Sequence, residues 1–344
     1  MDMAKIARRH CGVSRVLLLA LLGMSAPAHA DSVADFYRGK TVQIFVGLSP
    51  GGEYDVHARL VARHLGRHIP GNPTIVVQNM PGAGGLLMAN HFYNLAPKDG
   101  TALGVVSNGL LAQQAVGLRN VQYDAGKFQW IGAISPMVQI FGVWRATGVT
   151  SLAETRSKEI VVGTTGRGNA SYSFPMVLKD IYGAQLKLVT GYRGGNDINI
   201  AMERGEVGGR VTTWSSWKVT HPSWFADDLV RVLAYAGPRP KDLQNVPSLE
   251  DVMPTSEDRQ VVHLLMSGAQ LGRPFVAPPG VPAERILAVR AAFRGTMTDP
   301  AFVKEATASN IEIEPVSGEV MQAVVSKALG TPAALRERAF RLLE

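Results

Sequence analysis

The stretch TVQIFVGLSPGGEYD, residues 41–55, decides the fold. Its first part, Thr41 to Gly47, is rich in β-branched and aromatic residues, which is typical of a strand. Gly51 and Gly52 then lead into a helix-like run, Asp55 to Ile69. Glycines at this position let a ligand approach the backbone, and the free N–H groups of a helix start attract anions. The stretch therefore predicts an α/β fold with a ligand site at this turn.

The same succession of strand, glycine-rich turn and helix recurs further along the chain. Thr74 to Gln78 and Ala102 to Ser107 complete a first set of strands, and Glu159 to Thr164 and Leu186 to Thr190 begin a second. Two more strand-like runs follow, at residues 211–213 and 230–236. Because the carboxyl ends of parallel strands meet at one edge of a sheet, the turns of each set should lie together. Four such loops, two per set, predict two facing walls.

The order of these elements predicts two lobes. Trp130 to Trp144 is long and extended, as expected for a first crossing between lobes, and Phe275 to Pro282 resembles a return crossing. Helices are expected at residues 173–181, 198–204, 283–297, 300–308 and 319–343, the last interrupted near Gly330 and Pro332, and a late strand is expected at residues 311–314. The last three helices have amphipathic spacing and would cover the first sheet. We expect lobe I to comprise residues 31–134 and 270–344, and lobe II residues 135–269.

The first thirty residues have the pattern of a secretory signal. Lys5, Arg8 and Arg9 precede a short apolar run, Val16 to Met24, and Ala28-His29-Ala30 is a small-x-small cleavage site. The apolar run is too short to span a bilayer, which disfavours a membrane anchor. The sequence does not decide between the general secretory and twin-arginine routes.

Removal of the signal changes the composition of the chain. The formal charge falls from +7 to +4, because the signal holds four basic side chains and one acidic one. The only cysteine, Cys11, is lost with it, so the mature chain has no disulfide, thiolate nucleophile or cysteine–metal site. We expect no cofactor and no nucleic-acid partner.

Gly47-Leu48-Ser49-Pro50-Gly51 matches the G-x-S-x-G nucleophile elbow of α/β-hydrolases. In that elbow the N–H of the residue after the serine helps to bind the oxyanion. Here that residue is Pro50, which has no N–H. The sequence therefore disfavours a serine hydrolase, although an exported hydrolase stays open as an alternative.

Two arginines in the second set of loops are candidate anchors for a ligand carboxylate, with which guanidinium pairs bidentately. Arg167 is the better candidate, the alternative being a solvated loop arginine. Arg193 is more readily interpreted as a support of its own loop. In the first set, Asp55 either caps the helix or contacts the ligand, and we favour the cap.

Histidines and tryptophans allow two further interpretations. His57, His64 and His68 lie along one side of the first helix, but they are spaced too far apart to favour a metal site and flank an apolar stripe. The segment with Trp214, Trp217 and Trp224 favours core packing over contact with an aromatic ligand. Thr212 and Thr213 precede it at a strand end.

The loops resemble those of one receptor family, the Bug-type periplasmic binding proteins of tripartite tricarboxylate transporters. The resemblance covers nearly the whole mature chain. Its motifs are Lys40-Thr41-Val42 through Gly51-Gly52, Asp55 and Ala58-Arg59; Gln78-Asn79 with Pro81 to Gly85; Pro97 to Gly100; Gly163 to Gly166; Tyr192 to Gly195; Gly205 to Val207; and Ala277 to Pro282.

This resemblance implies a periplasmic binding protein of type II, a Venus flytrap of two lobes that binds a small carboxylate and delivers it to membrane permease subunits without chemistry. It implies a monomeric protein in the periplasm. One wall of the cleft would comprise Ser49, Gly52, Glu53, Tyr54, Asp55, Ala83, Gly84, Gly85, Ser107 and Asn108. The other would comprise Thr164, Thr165, Gly166, Arg167, Gly168, Asn169, Tyr192, Arg193, Gly194 and Thr213.

The chain departs from the family pattern in its first loops. Relatives often have small hydroxyl residues where Glu53 and Tyr54 stand, and an arginine where Met80 stands. Glu53 would repel an anion unless it points away or meets a cation. We therefore expect an amino-bearing or aromatic acid, with Tyr54 as a stacking surface, rather than a simple di- or tricarboxylate. A ligand sensor for a membrane kinase stays open as a further alternative.

Overall fold

The structure, a computed structural model, describes residues 32–165, 169–192 and 194–343. The predicted signal peptide lies outside the described residues. So do four residues of the predicted second wall, Gly166, Arg167, Gly168 and Arg193.

Eleven strands are present in the described part of the chain. They are β1 (Thr41–Val46), β2 (Thr74–Asn79), β3 (Ala102–Val105), β4 (Gln129–Ala133), β5 (Gln139–Trp144), β6 (Ile160–Thr164), β7 (Leu186–Thr190), β8 (Gly209–Thr213), β9 (Val230–Ala236), β10 (Phe275–Ala277) and β11 (Val316–Ser317).

These strands form two mixed sheets. The first has the order β11-β4-β10-β3-β1-β2, and the second β7-β6-β8-β5-β9. Within the first, β1 pairs in parallel with β2 and β3, whereas β10 is antiparallel to β3 and β4. Within the second, β6 is parallel to β7 and β8, whereas β5 is antiparallel to β8 and β9. The carboxyl ends of the three parallel strands therefore share an edge in each sheet, as the sequence predicts.

Helices cover the faces of both sheets. They are α1 (Val33–Tyr37), α2 (Glu53–Leu65), α3 (Leu86–Leu95), α4 (Leu110–Ala115), α5 (Ala170–Val177), α6 (Gly195–Glu203), α7 (Trp214–Thr220), α8 (Pro222–Ala226), α9 (Ser256–Leu271), α10 (Ala283–Thr298), α11 (Pro300–Ala308), α12 (Gly318–Leu329) and α13 (Ala333–Arg341). Among the described residues, none of these helices has the length and apolar character to cross a membrane.

The chain changes sheets twice. The predicted extended segment is two strands, β4 in the first sheet and β5 in the second, joined by residues 134–138. The chain returns through residues 272–274, which join α9 to β10. These two short segments, the crossing segments, lie side by side, since Gly272 packs against the backbone of Ser135. They are the place at which the two sheets are joined covalently.

Helix α9 packs against elements of both sheets. It contacts α4, α12 and α13 beside the first sheet and α5 beside the second. One apolar cluster accordingly runs from Phe92 and Trp130, through Leu264 of α9, to Phe174. Tight burial of such large side chains stabilises the arrangement by about 2 kcal/mol each.

Three local predictions need correction. The strand expected at residues 311–314 is absent, and the short strand β11 lies just after it. Glu314 donates its N–H to Ile134 O at 2.9 Å, just beyond the end of β4, and ladder pairing with β4 begins only at Val316. Helix α5 begins earlier than predicted, so Pro175 lies inside it and not in its first turn. Helix α9 and the helices around the tryptophans were not predicted.

Candidate ligand-binding site

The loop after β1 is braced by Asp55. Gly51, whose φ is +75°, donates its N–H to Asp55 Oδ2 at 2.8 Å. The same carboxylate accepts from Arg59 Nε at 2.9 Å and is buried. Burial raises its pKa, but the hydrogen bonds from Arg59 and Gly51 outweigh burial and lower it overall. Asp55 therefore stabilises the loop before α2, but it is not the helix cap that the sequence predicted, because it is the third residue of α2 and the N-cap is Gly52, without a side-chain hydrogen bond.

Glu53 meets a cation, Arg273. Its carboxylate contacts the guanidinium of Arg273, whose side chain is only 4% exposed. The guanidinium lies 5.8 Å from the ring centroid of Tyr54. Tyr54 in turn accepts the N–H of Asn108 at 3.2 Å on its hydroxyl. The negative charge of Glu53 is thus offset by the guanidinium of Arg273. The hydrogen bond of Tyr54 to Asn108 links the first loop to the segment after β3.

The other predicted residues of the first wall lie at the same edge. Ala83, Gly84 and Gly85 all have positive φ, and a side chain added at Gly85 would lie 2.9 Å from Cβ of Ser107. Ser107 accepts the N–H of Gly109 at 3.3 Å. This close approach explains the glycine at position 85 and brings the second loop against the end of β3. Ser49 is exposed, and the described part of the chain gives its hydroxyl no histidine partner.

The described residues of the second wall form a hydrogen-bond network. Asn169 caps α5 by accepting from Ser171 N at 2.9 Å and donates to Thr165 Oγ1 at 3.0 Å. Thr165 donates its N–H to Ser171 Oγ at 3.1 Å. Tyr192 donates its N–H to Thr164 O at 3.3 Å, and Gly194 is the N-cap of α6. The loops after β6 and β7 are therefore adjacent.

Two buried hydroxyls at this wall lack partners. Thr164 Oγ1 and Thr213 Oγ1 are enclosed and make no hydrogen bond with the described residues. The register of β6 and β8 places Thr164 beside Val211, two residues before Thr213, so both hydroxyls lie on one face of the sheet. A buried hydroxyl without a partner costs about 1–3 kcal/mol. A bound polar group that hydrogen-bonds to them would remove that cost.

Arg210 is a buried charge that sequence reasoning missed. It lies in β8 and is 8% exposed. Its Nη1 donates to the carbonyl of Gly195 at the start of α6 and to Asn199 Oδ1, the latter at 2.7 Å. Burial lowers its pKa to about 10, an effect that the charge of Glu53 opposes, so Arg210 is protonated at neutral pH. No carboxylate of the described residues lies within ion-pair distance of it. The sequence offered one sign of this buried charge, a single arginine within the strand-like run GRVTT, residues 209–213.

Two cavities adjoin these walls. A small one of about 20 Å³ is lined by Asn108, Gln139, Asn169 and Ser173. A larger crevice of about 280 Å³ lies beside the crossing segments, between α2 and α7. Among the predicted wall residues that the structure describes, only Glu53 lines the larger crevice. The sequence thus predicted the loop edges but not the larger cavity.

The histidine and tryptophan clusters have structural partners. His64 of α2 lies 2.6 Å from Glu305 of α11. His68, in the turn after α2, lies 2.8 Å from Asp299, the N-cap residue of α11. No group of three metal-binding side chains is found among the described residues. Trp214, Trp217 and Trp224 are buried in one cluster with residues of α6, and Trp214 also lines the larger crevice.

Comparison with sequences identifies relatives over part of the chain. No family model matches. BugT of Bordetella pertussis is 41% identical over 71 residues, which are 21% of this chain and 20% of BugT. The UPF0065 protein in the gbd 5′ region of Cupriavidus necator is 37% identical over 89 residues, 26% of each chain. The chain therefore matches about a quarter or less of the length of these relatives.

Comparison with solved structures covers most of the chain. A TctC solute binding protein from Polaromonas has a TM-score of 0.66 at 17% identity, over 89% of this chain and 99% of that one. The periplasmic binding protein BugD gives 0.66 at 18%, over 88% and 98%. MatC from Rhodopseudomonas palustris, with bound malate, gives 0.63 at 19%, over 89% and 99%. The shared fold confirms the predicted fold class.

Sequence matches and fold agree with the relationship predicted from the loops. The chain is therefore similar to Bug-type solute-binding proteins in these sequence segments and in its fold.

Proposed function

We propose that the chain is a periplasmic solute receptor that binds a small carboxylate-bearing molecule between two lobes and delivers it, unchanged, to the permease subunits of a tripartite transporter. Lobe I would comprise residues 31–134 and 270–344, and lobe II residues 135–269, with residues 1–30 removed on export. The receptor would act as a monomer. Malate bound to the structural neighbour MatC supports the carboxylate.

Arg210 carries this proposal. A protonated guanidinium is rarely buried without a carboxylate, because desolvation of the charge is costly. Arg210 is buried at the start of α6, beside Gly194 of the predicted wall, and the described residues provide it with no carboxylate. A ligand carboxylate would supply the missing partner.

Other groups at the same edges would complete the recognition. Thr164 and Thr213 can each donate a hydroxyl hydrogen that is now without an acceptor, and strand alternation places them on the other face of the sheet from Arg210, so they would contact a different part of the ligand. The loop glycines leave backbone N–H groups accessible at the starts of helices. Glu53 does not oppose this role, since Arg273 already neutralises it. The structure therefore removes the objection that the sequence raised against an anionic ligand.

Affinity measurements on Arg210 variants test the proposal. The probe is the best-binding acid of a panel of malate, aspartate, benzoate and 3-phenylpropionate, measured by calorimetry on residues 31–344. Loss of a charged hydrogen bond costs about 1.5–3 kcal/mol, so Arg210→Gln should weaken binding roughly 10- to 100-fold. Arg210→Lys, which keeps the charge but loses the planar fork, should weaken it less.

Arg231→Gln is the matched control. Arg231 lies in β9 of the same sheet and pairs with Asp228 at 3.5 Å. This variant should bind the acid as the wild type does, and circular dichroism should show all three variants folded. Unchanged affinity in Arg210→Gln would contradict the proposal.

A further inference from the structure

The crevice beside the crossing segments is walled by both halves of the molecule. Helix α2 contributes Val56 and His57, and α7 contributes Trp214. The crossing segments contribute Pro136 and Arg273, and the loop after α11 contributes Ile311. Its volume of about 280 Å³ approaches the lower end of the range of small-molecule sites.

Polar groups in this crevice are left without partners. The Nε of Arg273 is fully enclosed and makes no hydrogen bond with the described residues. His57 is buried and also has no hydrogen-bond partner in the described part of the chain. Burial and the charge of Arg273 lower the pKa of His57 to about 3, so its imidazole is neutral at physiological pH. The crevice therefore offers one buried cation, already paired with Glu53, and one neutral imidazole.

The remaining walls combine apolar side chains with polar ones, among them Lys218, Asn310 and Glu312, and the apolar part is the larger by exposed area. Val56 is 41% exposed although it is apolar, and the indole of Trp214 forms the facing wall. Pro136, Val138 and Ile311 add further apolar surface. Water enclosed by such walls is readily displaced by an apolar group, which gains about 25 cal/mol for each Å² of apolar surface removed from water.

The crevice adjoins the region proposed to bind the carboxylate. Glu53 lines the crevice, and its charge also acts on Arg210 of the second sheet. Asn199 Oδ1 accepts from Arg210 Nη1 at 2.7 Å and from Trp217 Nε1 at 3.2 Å, and Trp217 lies on α7, the helix that forms one wall of the crevice. Arg210 and the crevice are therefore connected through α7.

We propose that this crevice receives the apolar body of the ligand, and that the ligand is an aromatic or branched-chain monocarboxylate rather than a short dicarboxylate. This inference rests on the proposed function, because the carboxylate itself would bind beside Arg210. The ion pair of Arg273 and Glu53, whose charges offset each other, lies between the crevice and the carboxylate site beside Arg210. Trp214 contacts the apolar body of the ligand.

Filling the crevice from its α2 wall tests the inference. The probes are 3-phenylpropionate, 4-methylpentanoate and malate, measured by calorimetry. Val56→Trp places an indole in the crevice and should weaken binding of the two monocarboxylates at least tenfold, while malate changes less than twofold. Ser215→Trp fills the crevice from α7 and should do the same, which keeps the test valid if one variant folds poorly.

Val303→Trp is the matched control, since Val303 is a helical valine of similar exposure, 38%, on α11 outside the crevice. It should leave all three affinities unchanged. Full affinity of both filled variants for the monocarboxylates would overturn the inference. So would a wild type that binds malate alone, with the proposed function still standing. A wild type that binds no acid of either panel would overturn the proposed function and the inference with it.

Discussion

Burial of His57 makes the stability of the folded chain depend on pH. Its pKa is lowered to about 3 from an ordinary 6.5, by burial first and by Arg273 second. Between these values the unfolded chain binds a proton that the folded chain does not, so stability is lost as the pH falls below about 6.5. Glu53, one turn away, is held by Arg273, so it does not pair with a protonated His57.

We predict that the free energy of unfolding falls between pH 7 and pH 5 by about 2 kcal/mol on account of His57 alone. Urea denaturation of the wild type and His57→Gln at both pH values measures this. The variant should lose about 2 kcal/mol less than the wild type over that interval. Equal losses in the two proteins would show that His57 is not held neutral.

Residue-level features were the least predictable from the sequence. The repulsion expected at Glu53 was inferred from its place in a loop predicted to bind an anion, but the cation that it contacts, Arg273, lies 220 residues away along the chain. Nothing in the local pattern around either residue indicates that contact. The structural role of Asp55 was predicted only in kind, since its partners, Gly51 and Arg59, lie within one turn but Gly52, not Asp55, is the N-cap of α2.

At the scale of elements, α9 is begun by a reciprocal cap. Thr255 Oγ1 accepts the N–H of Asp258 at 3.1 Å, and Asp258 Oδ2 accepts the N–H of Thr255 at 3.0 Å. Arg338 of α13 also contacts the Asp258 carboxylate. The cap thus fixes the start of a helix that packs against elements of both sheets.

Thr255→Val should lower the free energy of unfolding by about 1 kcal/mol, the usual contribution of an N-cap. Thr255→Ser keeps the hydroxyl and is the matched control, which should unfold within a few tenths of a kcal/mol of the wild type. Chemical denaturation measures both. A valine variant as stable as the serine variant would show that the cap contributes nothing here.

Elements with a strong local pattern were predicted well. The strands from β1 to β3 and from β6 to β9 are short apolar runs, and the structure has them within a few residues. Helix α9 was missed although the capping signal Thr255 to Asp258 precedes an apolar run with helical spacing. The strand expected at residues 311–314 failed because strand pairing depends on a distant partner, and β4 pairs instead with Val316 and Ser317.

At the scale of the whole molecule, the sequence predicted which edges bear the loops but not where the larger cavity opens. Topology alone brings the carboxyl ends of β1, β2 and β3 together, so the first wall followed from strand order. The crevice combines α2, α7, both crossing segments and residues 309–312. Residues that are so far apart in the sequence give no local pattern that predicts a cavity. They come together only when whole helices and strands pack against one another.

Equilibrium dialysis tests the central claim, carboxylate binding without chemistry, most directly. Residues 31–344 would be dialysed against the best-binding acid of the panel and, separately, against the uncharged amide of the same acid. We predict that the acid binds with one site per chain, at least tenfold more tightly than its amide, and is recovered unchanged. Equal binding of acid and amide, or conversion of the acid during dialysis, would contradict the account.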